Sequence, residues 1–418
     1  MENIAGAVKE YGPKADEAFK CSVTVRDRIS ERERKKVLKM RAEEICTHYG
    51  EDPSRFHGAV NVPLFQTSLF VDCEGNESGR EGRYAYTRVS NPTTEIVEKK
   101  VAALEQGEAA RCFSSGMGAI SAAMMHYLKR DSHVVAVASI YAPARRFLWE
   151  YMARFGVTVT FVRGTDLDEI EAAICDRTEL IYLESPSTYL FLVQDLEKIA
   201  EIAKKHQVAT VIDNTYATPI FQKPLTKGID MVVHSASKYL GGHSDIVGGV
   251  VIGRKEDVTQ VAKDERELFG AVMSPFDSWL MLRGIRTLPV RMRQHMENAM
   301  EMASYFQALP IIKEVIYPYW NTHPQYELAK RQMTGASGLM SVVFDLPGDQ
   351  IYKILRELEF FSRGPSWGGY ESLISAVGAG LDRDSETMKK GLVRLHIGLE
   401  GADLLKEDFD RAVKHVLG

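Results

Sequence analysis

A chain of 418 residues with 45% hydrophobic and 26% charged residues has the balance of a globular protein, and its length calls for two or three cores rather than one. A formal net charge of −5 removes any general attraction to nucleic acid or to an anionic membrane. Apolar runs such as VVAVASIYA (134–142) fall short of the roughly 20 residues that span a bilayer, and the opening MENIAGAVKEYGPKADEAFK lacks the apolar centre of a signal peptide. The cysteines at 21, 46, 73, 112 and 175 are scattered without a CxxC, which reads as reduced thiols in a cytoplasmic protein.

Taken in chain order, residues 1–60 are charged and helical in pattern, with ISERERKKVLKMRAEEICTHYG (29–50) closing on a glycine. Such an arm is too polar to hold a core and is expected to pack on something larger, by default a neighbouring subunit. From 61 to 285, short apolar runs alternate with amphipathic stretches. TTEIVEKKVAALEQG (93–107), ARRFLWEYMARFG (144–156) and DLEKIAEIAKKH (195–206) read as helices. HVVAVAS (133–139), VTVTFV (157–162), LIYLES (180–185), ATVIDNT (209–215), MVVHSAS (231–237) and GGVVIG (248–253) read as strands. Near-continuous apolar strands alternating with helices predict an α/β domain whose mainly parallel sheet is covered on both faces. Next comes a long helical region (278–309) interrupted by Pro289. After it, LMSVVFDL (339–346), GDQIYKILREL (348–358), VRLHIGL (393–399) and a last helix predict a smaller α+β domain over 286–418.

In such a sheet a ligand sits beyond the carboxyl ends of the strands, so the polar residues there are candidates. Asp213 ends one apolar run, and Ser235, Ser237 and Lys238 end the next. FSSGMGAI (113–120) puts Ser114, Ser115, Gly116, Met117 and Gly118 at the start of a helix, where free N–H groups suit a phosphate. Tyr141 follows another strand and could cover a flat ligand. Each feature alone has an ordinary reading as a turn, a cap, a core aromatic or a solvated charge. Together they are the parts that hold pyridoxal 5'-phosphate (PLP): a lysine for the Schiff base, a carboxylate for the pyridine nitrogen and an anion cradle. His243 and Asp245 in GGHSD are too few for a closed metal site, so no metal is expected.

RYAYTRVSNPT, FSSGMGAI, LESPS, VIDNTYATP, HSASKYLGGHSD, SWGGYESL and RLHIGLE, in this order from about residue 60 to 400, resemble the Cys/Met-metabolism PLP-dependent enzymes, the cystathionine synthases and lyases. The resemblance implies the type I, aspartate aminotransferase-like fold and a homotetramer built as a dimer of catalytic dimers. It implies that Lys238 is the Schiff-base lysine and Asp213 the partner of the pyridine nitrogen, with Gly116, Met117, Ser235 and Ser237 on the phosphate. Ser237 stands where the family usually has Thr, which keeps the hydroxyl. By the same resemblance Tyr86 and Arg88 reach the phosphate of the neighbouring subunit, Tyr86 also meeting the substrate, and Tyr141 stacks on the cofactor ring and helps activate the incoming substrate. Arg394 and Ser366 then bind the carboxylate of an amino-acid substrate, a task for which the planar guanidinium fork is apt. Lys238, once displaced by the substrate amine, is also the base that moves protons.

The motifs leave the reaction open between β- and γ-chemistry. SWGGYESLI, RLHIGLE and TGASG (334–338) resemble bacterial cystathionine β-lyases, and Thr188 stands where γ-enzymes commonly have Asn. YTRVSNPT and SSGMGA lean towards γ-type enzymes, and Pro365 matches neither group. The reading favours β-elimination from cystathionine or a related cysteine thioether. The alternatives are γ-elimination or γ-replacement, of the cystathionine γ-lyase, cystathionine γ-synthase, O-acylhomoserine sulfhydrylase or methionine γ-lyase type. A non-catalytic relative would have lost the lysine, the aspartate or the cradle, and all three stand in the sequence.

Overall fold

The apolar runs become the centre of the molecule. In the computed structural model, which describes residues 35–73, 84–381, 383–385 and 387–418, seven strands form one sheet. They are β1 (Ala109–Phe113), β2 (His133–Val137), β3 (Thr158–Val162), β4 (Thr178–Glu184), β5 (Ala209–Asp213), β6 (Met231–Ser235) and β7 (Gly249–Gly253). Their order across the sheet is β1-β7-β6-β5-β4-β2-β3, and only β7 runs against its neighbours. Strands β1, β2 and β7 are buried at every position, so both faces are covered and the sequence shows continuous rather than alternating apolar residues. Strand β1 escaped the pattern reading because AARCF carries an arginine. Arg111 is tolerated indoors because its guanidinium meets the carboxylate of buried Glu98 at 3.0 Å.

The predicted helices form with local adjustments. Pro92–Glu105 starts behind Asn91, whose side chain accepts from the Thr93 amide, and Leu196–His206 starts behind Asp195 in the same way. The stretch predicted as one helix over 144–156 divides into an α-helical turn (Ala142–Arg146), a π-helical turn (Phe147–Tyr151) and a 3-10 turn (Met152–Phe155). The long helical region is two helices, Pro275–Arg286 and Leu288–Ala308. Pro289 lies in the first turn of the second, where its missing N–H would have had no helical partner anyway, so the break falls at Thr287.

A second sheet has the order β10-β11-β12-β9-β8. It comprises β8 (Ile312–Ile316), β9 (Leu339–Phe344), β10 (Ser362–Arg363), β11 (Leu373–Ser375) and β12 (Leu392–His396), with Gly348–Glu357, Leu288–Ala308 and Ala402–Leu417 packed together beside it.

Most of the charged arm, residues 1–34, lies outside the described residues. The part that follows holds a short helix, Ala42–Thr47, which packs on Pro92–Glu105 and on both helices of the long region of its own chain. Its anchor is Lys100, fully buried, whose ammonium donates to the Ile45 carbonyl (2.9 Å) and the Cys46 carbonyl (3.1 Å) and pairs with Glu51 at 2.9 Å. Among the described residues no helix is long and apolar enough to cross a membrane.

Candidate active site

The parallel strands deliver three polar side chains to one edge. Glu184 at the end of β4 pairs in register with Asp213 at the end of β5, and β6 ends alongside at Ser235. On the other side of β6, Gly249 at the start of β7 is paired with both Ser235 and Phe113. A Cβ at Gly249 would lie 2.3 Å from the Ser115 carbonyl oxygen, so glycine is what lets the loop after β1 fold over this edge. The helix Gly116–Tyr127 begins there. Ser115 caps it by accepting from the Gly118 amide at 3.0 Å, and the amides of Gly116 and Met117 come before the first intrahelical bonds. A Cβ on Gly116 would stand 2.8 Å from Ser235 Oγ, which sets how closely the helix start and the serine approach.

These edges enclose a cavity of about 440 Å³. Nine of the eleven residues to which the resemblance gives a role line it: Gly116, Met117, Tyr141, Asp213, Ser235, Ser237, Lys238, Ser366 and Arg394. Tyr86 and Arg88 do not. Both are exposed, the Arg88 guanidinium lying 5.5 Å from the Tyr86 ring centre. His243 and Asp245 lie outside the cavity as well. His243 Nδ1 hydrogen-bonds the Gly241 carbonyl within a turn, and no group of metal-ligating side chains occurs among the described residues.

Lys238 Nζ donates to Ser366 Oγ at 2.7 Å and lies 5.5 Å from the centre of the Trp367 ring. Burial, with the Arg394 charge added, lowers its pKa from the ordinary lysine value, and Asp213 opposes the shift. Asp213 accepts from the Thr215 amide at 2.9 Å and from the Thr215 hydroxyl, both on Oδ1, which leaves Oδ2 as the acceptor for a ring N–H. Burial raises the Asp213 carboxyl, and the Thr215 bonds, His234 and Lys238 pull it back. Arg394 is buried and donates from Nη2 to the Pro365 carbonyl at 2.5 Å. Ser237 Oγ accepts from the Gly248 amide at 3.0 Å and donates to the Gly248 carbonyl at 3.4 Å.

Several contributors carried no motif of their own. Thr215 Oγ1 accepts from the Ser235 amide at 2.8 Å, so one hydroxyl ties the strand-end carboxylate to the serine beside the helix start. Glu184 accepts from the Tyr141 amide at 2.6 Å. Burial, with the Asp213 charge added, pushes its carboxyl up to about 8. Both residues stand inside quoted motifs, but only strand register shows what they touch. TGASG also takes a structural role here: the Gly338 amide donates to the hydroxyl of Tyr239, the residue after the lysine, at 3.0 Å.

Residues 43–414 match the family described as Cys/Met metabolism PLP-dependent enzyme. The chain belongs to this family. Cystathionine gamma-lyase of Bacillus subtilis is 38% identical over 385 residues, covering 90% of this chain and 100% of that one. Cystathionine beta-lyase of Coxiella burnetii is 37% identical over 375 residues (88% and 96%), and L-methionine gamma-lyase of Porphyromonas gingivalis 39% over 376 (86% and 93%). The crystal structure of metB from Corynebacterium glutamicum superposes with a TM-score of 0.85 at 33% identity, covering 91% of this chain and 99% of that one. The fold is the type I PLP fold, and membership makes the chain a PLP-dependent enzyme of the trans-sulfuration family acting on a small amino-acid substrate. The residues present fit PLP. Gly116 opens a cradle that a methyl group would fill, amides and hydroxyls converge there, and a lysine and a carboxylate face the same cavity.

Proposed function

We propose that the enzyme catalyses β-elimination from cystathionine or a related cysteine thioether. In this reading Gly116, Met117, Ser235 and Ser237 hold the cofactor phosphate, Asp213 accepts from the pyridine N–H, Tyr141 covers the ring and Lys238 anchors the carbonyl carbon. Bound there, PLP supplies an electron sink that makes the Cα–H of an attached amino acid acidic. Arg394 and Ser366 orient the substrate carboxylate. The Lys238 amine, its basicity lowered by burial, takes the Cα proton near neutral pH. Ser187, Thr188 and the apolar surface of Trp367 line the same cavity.

One observation carries the β-assignment. The Trp367 ring, in the SWGGYESL stretch that resembles β-lyases, stands 5.5 Å from the Lys238 amine. With Ser366 accepting from Nζ at 2.7 Å, the amine has both neighbours on this stretch, which supports a single deprotonation at Cα. γ-Chemistry needs a second proton transfer at Cβ and therefore a more mobile amine. The γ-reading keeps one support of its own, the 38% identity to a cystathionine gamma-lyase.

The same reading makes the enzyme a cytoplasmic homotetramer, with Tyr86 and Arg88 donated across each catalytic dimer to complete the phosphate site. Their exposure outside the cavity supports this. It divides the chain into an arm (1–60), a PLP-binding domain (61–285) and a C-terminal domain (286–418), and the helix break at Thr287 supports the second boundary.

The test is to mix the PLP-loaded enzyme with L-cystathionine and identify the products. β-Elimination consumes water and gives pyruvate, homocysteine and ammonia. 2-Oxobutyrate with cysteine would overturn the β-assignment in favour of the γ-reading.

A further inference from the structure

Arg394 has a neighbour whose placement is costly. Tyr189, half-buried, lines the cavity, and its ring centre lies 5.4 Å from the guanidinium carbon of Arg394. Its backbone is left-handed, with φ 62°, a conformation that a bulky side chain adopts only when its surroundings impose it. The loop imposes it through four main-chain bonds. Ser187 N donates to the Leu192 carbonyl (2.9 Å), Thr188 N to Ser139 (2.9 Å), Leu190 N to Thr188 (2.8 Å) and Phe191 N to Ser187 (3.1 Å). Phe191 (φ 48°) then buries its ring 5.4 Å from that of Tyr216 and fixes the far end. Strain confined to a rigid loop that presents one aromatic ring to one cation has a functional explanation more readily than a structural one.

We infer that Tyr189 is a positioning residue for substrate recognition, its ring face holding the Arg394 fork in the orientation that receives the α-carboxylate of the amino acid. This rests on the reading of Arg394 as the carboxylate binder. Arg394 Nη2 is already committed to the Pro365 carbonyl at 2.5 Å, so one edge of the fork is fixed by a hydrogen bond and one face by the ring. The two contacts leave little rotational freedom to a side chain that is otherwise long and flexible. Cation–π attraction in such a desolvated setting also offsets the cost of burying the charge without neutralising it, which keeps the guanidinium available to an anion. A hydrogen-bonding acid in the same place would compete with the substrate for that charge; an aromatic face does not.

The experiment compares two ligands of the PLP-loaded enzyme by the change in cofactor absorbance: glycine, which has the carboxylate, and methylamine, which lacks it. Tyr189→Asn removes the ring and leaves a residue that tolerates the left-handed backbone. Glycine is expected to bind roughly tenfold more weakly, the size of a desolvated cation–π contact, with methylamine affinity and Tm unchanged. Tyr189→Phe, which keeps the ring, should retain the glycine affinity. Equal weakening of both ligands in Tyr189→Asn would overturn the inference, as would a Phe variant as weak as the Asn one. If the Asn variant does not fold, Tyr189→Gly, which adopts the left-handed backbone without strain, makes the same comparison. Arg394→Lys separates the two layers: should it leave the preference for glycine over methylamine intact, the carboxylate reading of Arg394 fails. Loss of that preference in Arg394→Lys but not in Tyr189→Asn defeats the Tyr189 inference alone.

Discussion

Gly368 offers a direct test of how SWGGYESL meets the lysine. Its φ is +88°, and a Cβ there would lie 2.9 Å from Lys238 Cα, Lys238 Cβ and the Tyr239 amide nitrogen. The lysine segment cannot yield. Lys238 N is bonded to the Ser235 carbonyl (3.2 Å), the Lys238 carbonyl accepts from Gly242 N (2.8 Å), and Tyr239 is fully buried beside His295 and His396. Gly368→Ala must therefore push the other strand of the contact away and take Ser366 and Trp367 with it. The left-handed backbone costs about 1–2 kcal/mol for a non-glycine residue, and the overlap about 1–3 kcal/mol more. Gly58, at φ +85° with nothing within 4 Å of its Cβ, isolates the first effect. Denaturation midpoints and kcat/KM of the two alanine variants make the comparison. Gly58→Ala should lose about 1–2 kcal/mol with unchanged turnover. Gly368→Ala should lose about 2–5 kcal/mol, and its kcat/KM should fall by roughly 10²-fold, as a displacement near 1 Å at a reacting group does. If Gly368→Ala proves no worse than Gly58→Ala on both measures, the contact is not what positions Ser366 and Trp367.

Three further outcomes are expected. Asp213→Asn should loosen PLP by about 10- to 100-fold, the worth of a charged hydrogen bond, measured as cofactor retained after dialysis; full retention would count against the pyridine contact. Glu184 titrates near 4.5 when unfolded and near 8 in the fold, so across that window the folded chain holds a proton the unfolded chain has released, and stability falls as pH rises. Glu184→Gln should therefore flatten the decline of apoprotein Tm between pH 5 and 8, and an unchanged slope would show that the carboxyl is ionised in the fold. Burial holds His295 and His323 down to about 4 and His396 well below its usual value, so the unfolded chain takes up protons that the fold refuses. Tm should drop as pH falls from 6.5 towards 4, less steeply in His295→Gln; an identical acid limb would refute this account.

How much of this was legible in the sequence depended on whether a residue's role is local. Six of the seven strands of the large sheet, the helix opened by Gly116 and the two helices parted near Pro289 were readable because apolar period, caps and proline act over a few residues. That Lys238, Asp213 and Gly116 line one cavity was readable because strand ends are where such a sheet gathers polar residues. Strand β1 stayed hidden because Arg111 is paired by Glu98, 13 residues away, and the pattern registers only the charge. Glu184, Thr215 and Tyr189 stayed without roles for a related reason. The Glu184 carboxyl is pushed up by burial and by the Asp213 charge that strand register sets beside it, and Thr215 matters because its hydroxyl bridges two strands. Tyr189 meets Arg394 across 205 positions of sequence. The sequence by itself determined the class of fold, the family and the cofactor, since these rest on local pattern and motif order. Which carboxyl is pushed up by its neighbour, which glycine sets an approach and which ring faces Arg394 were decided only by tertiary structure, because burial and through-space charge exist only once distant segments have packed.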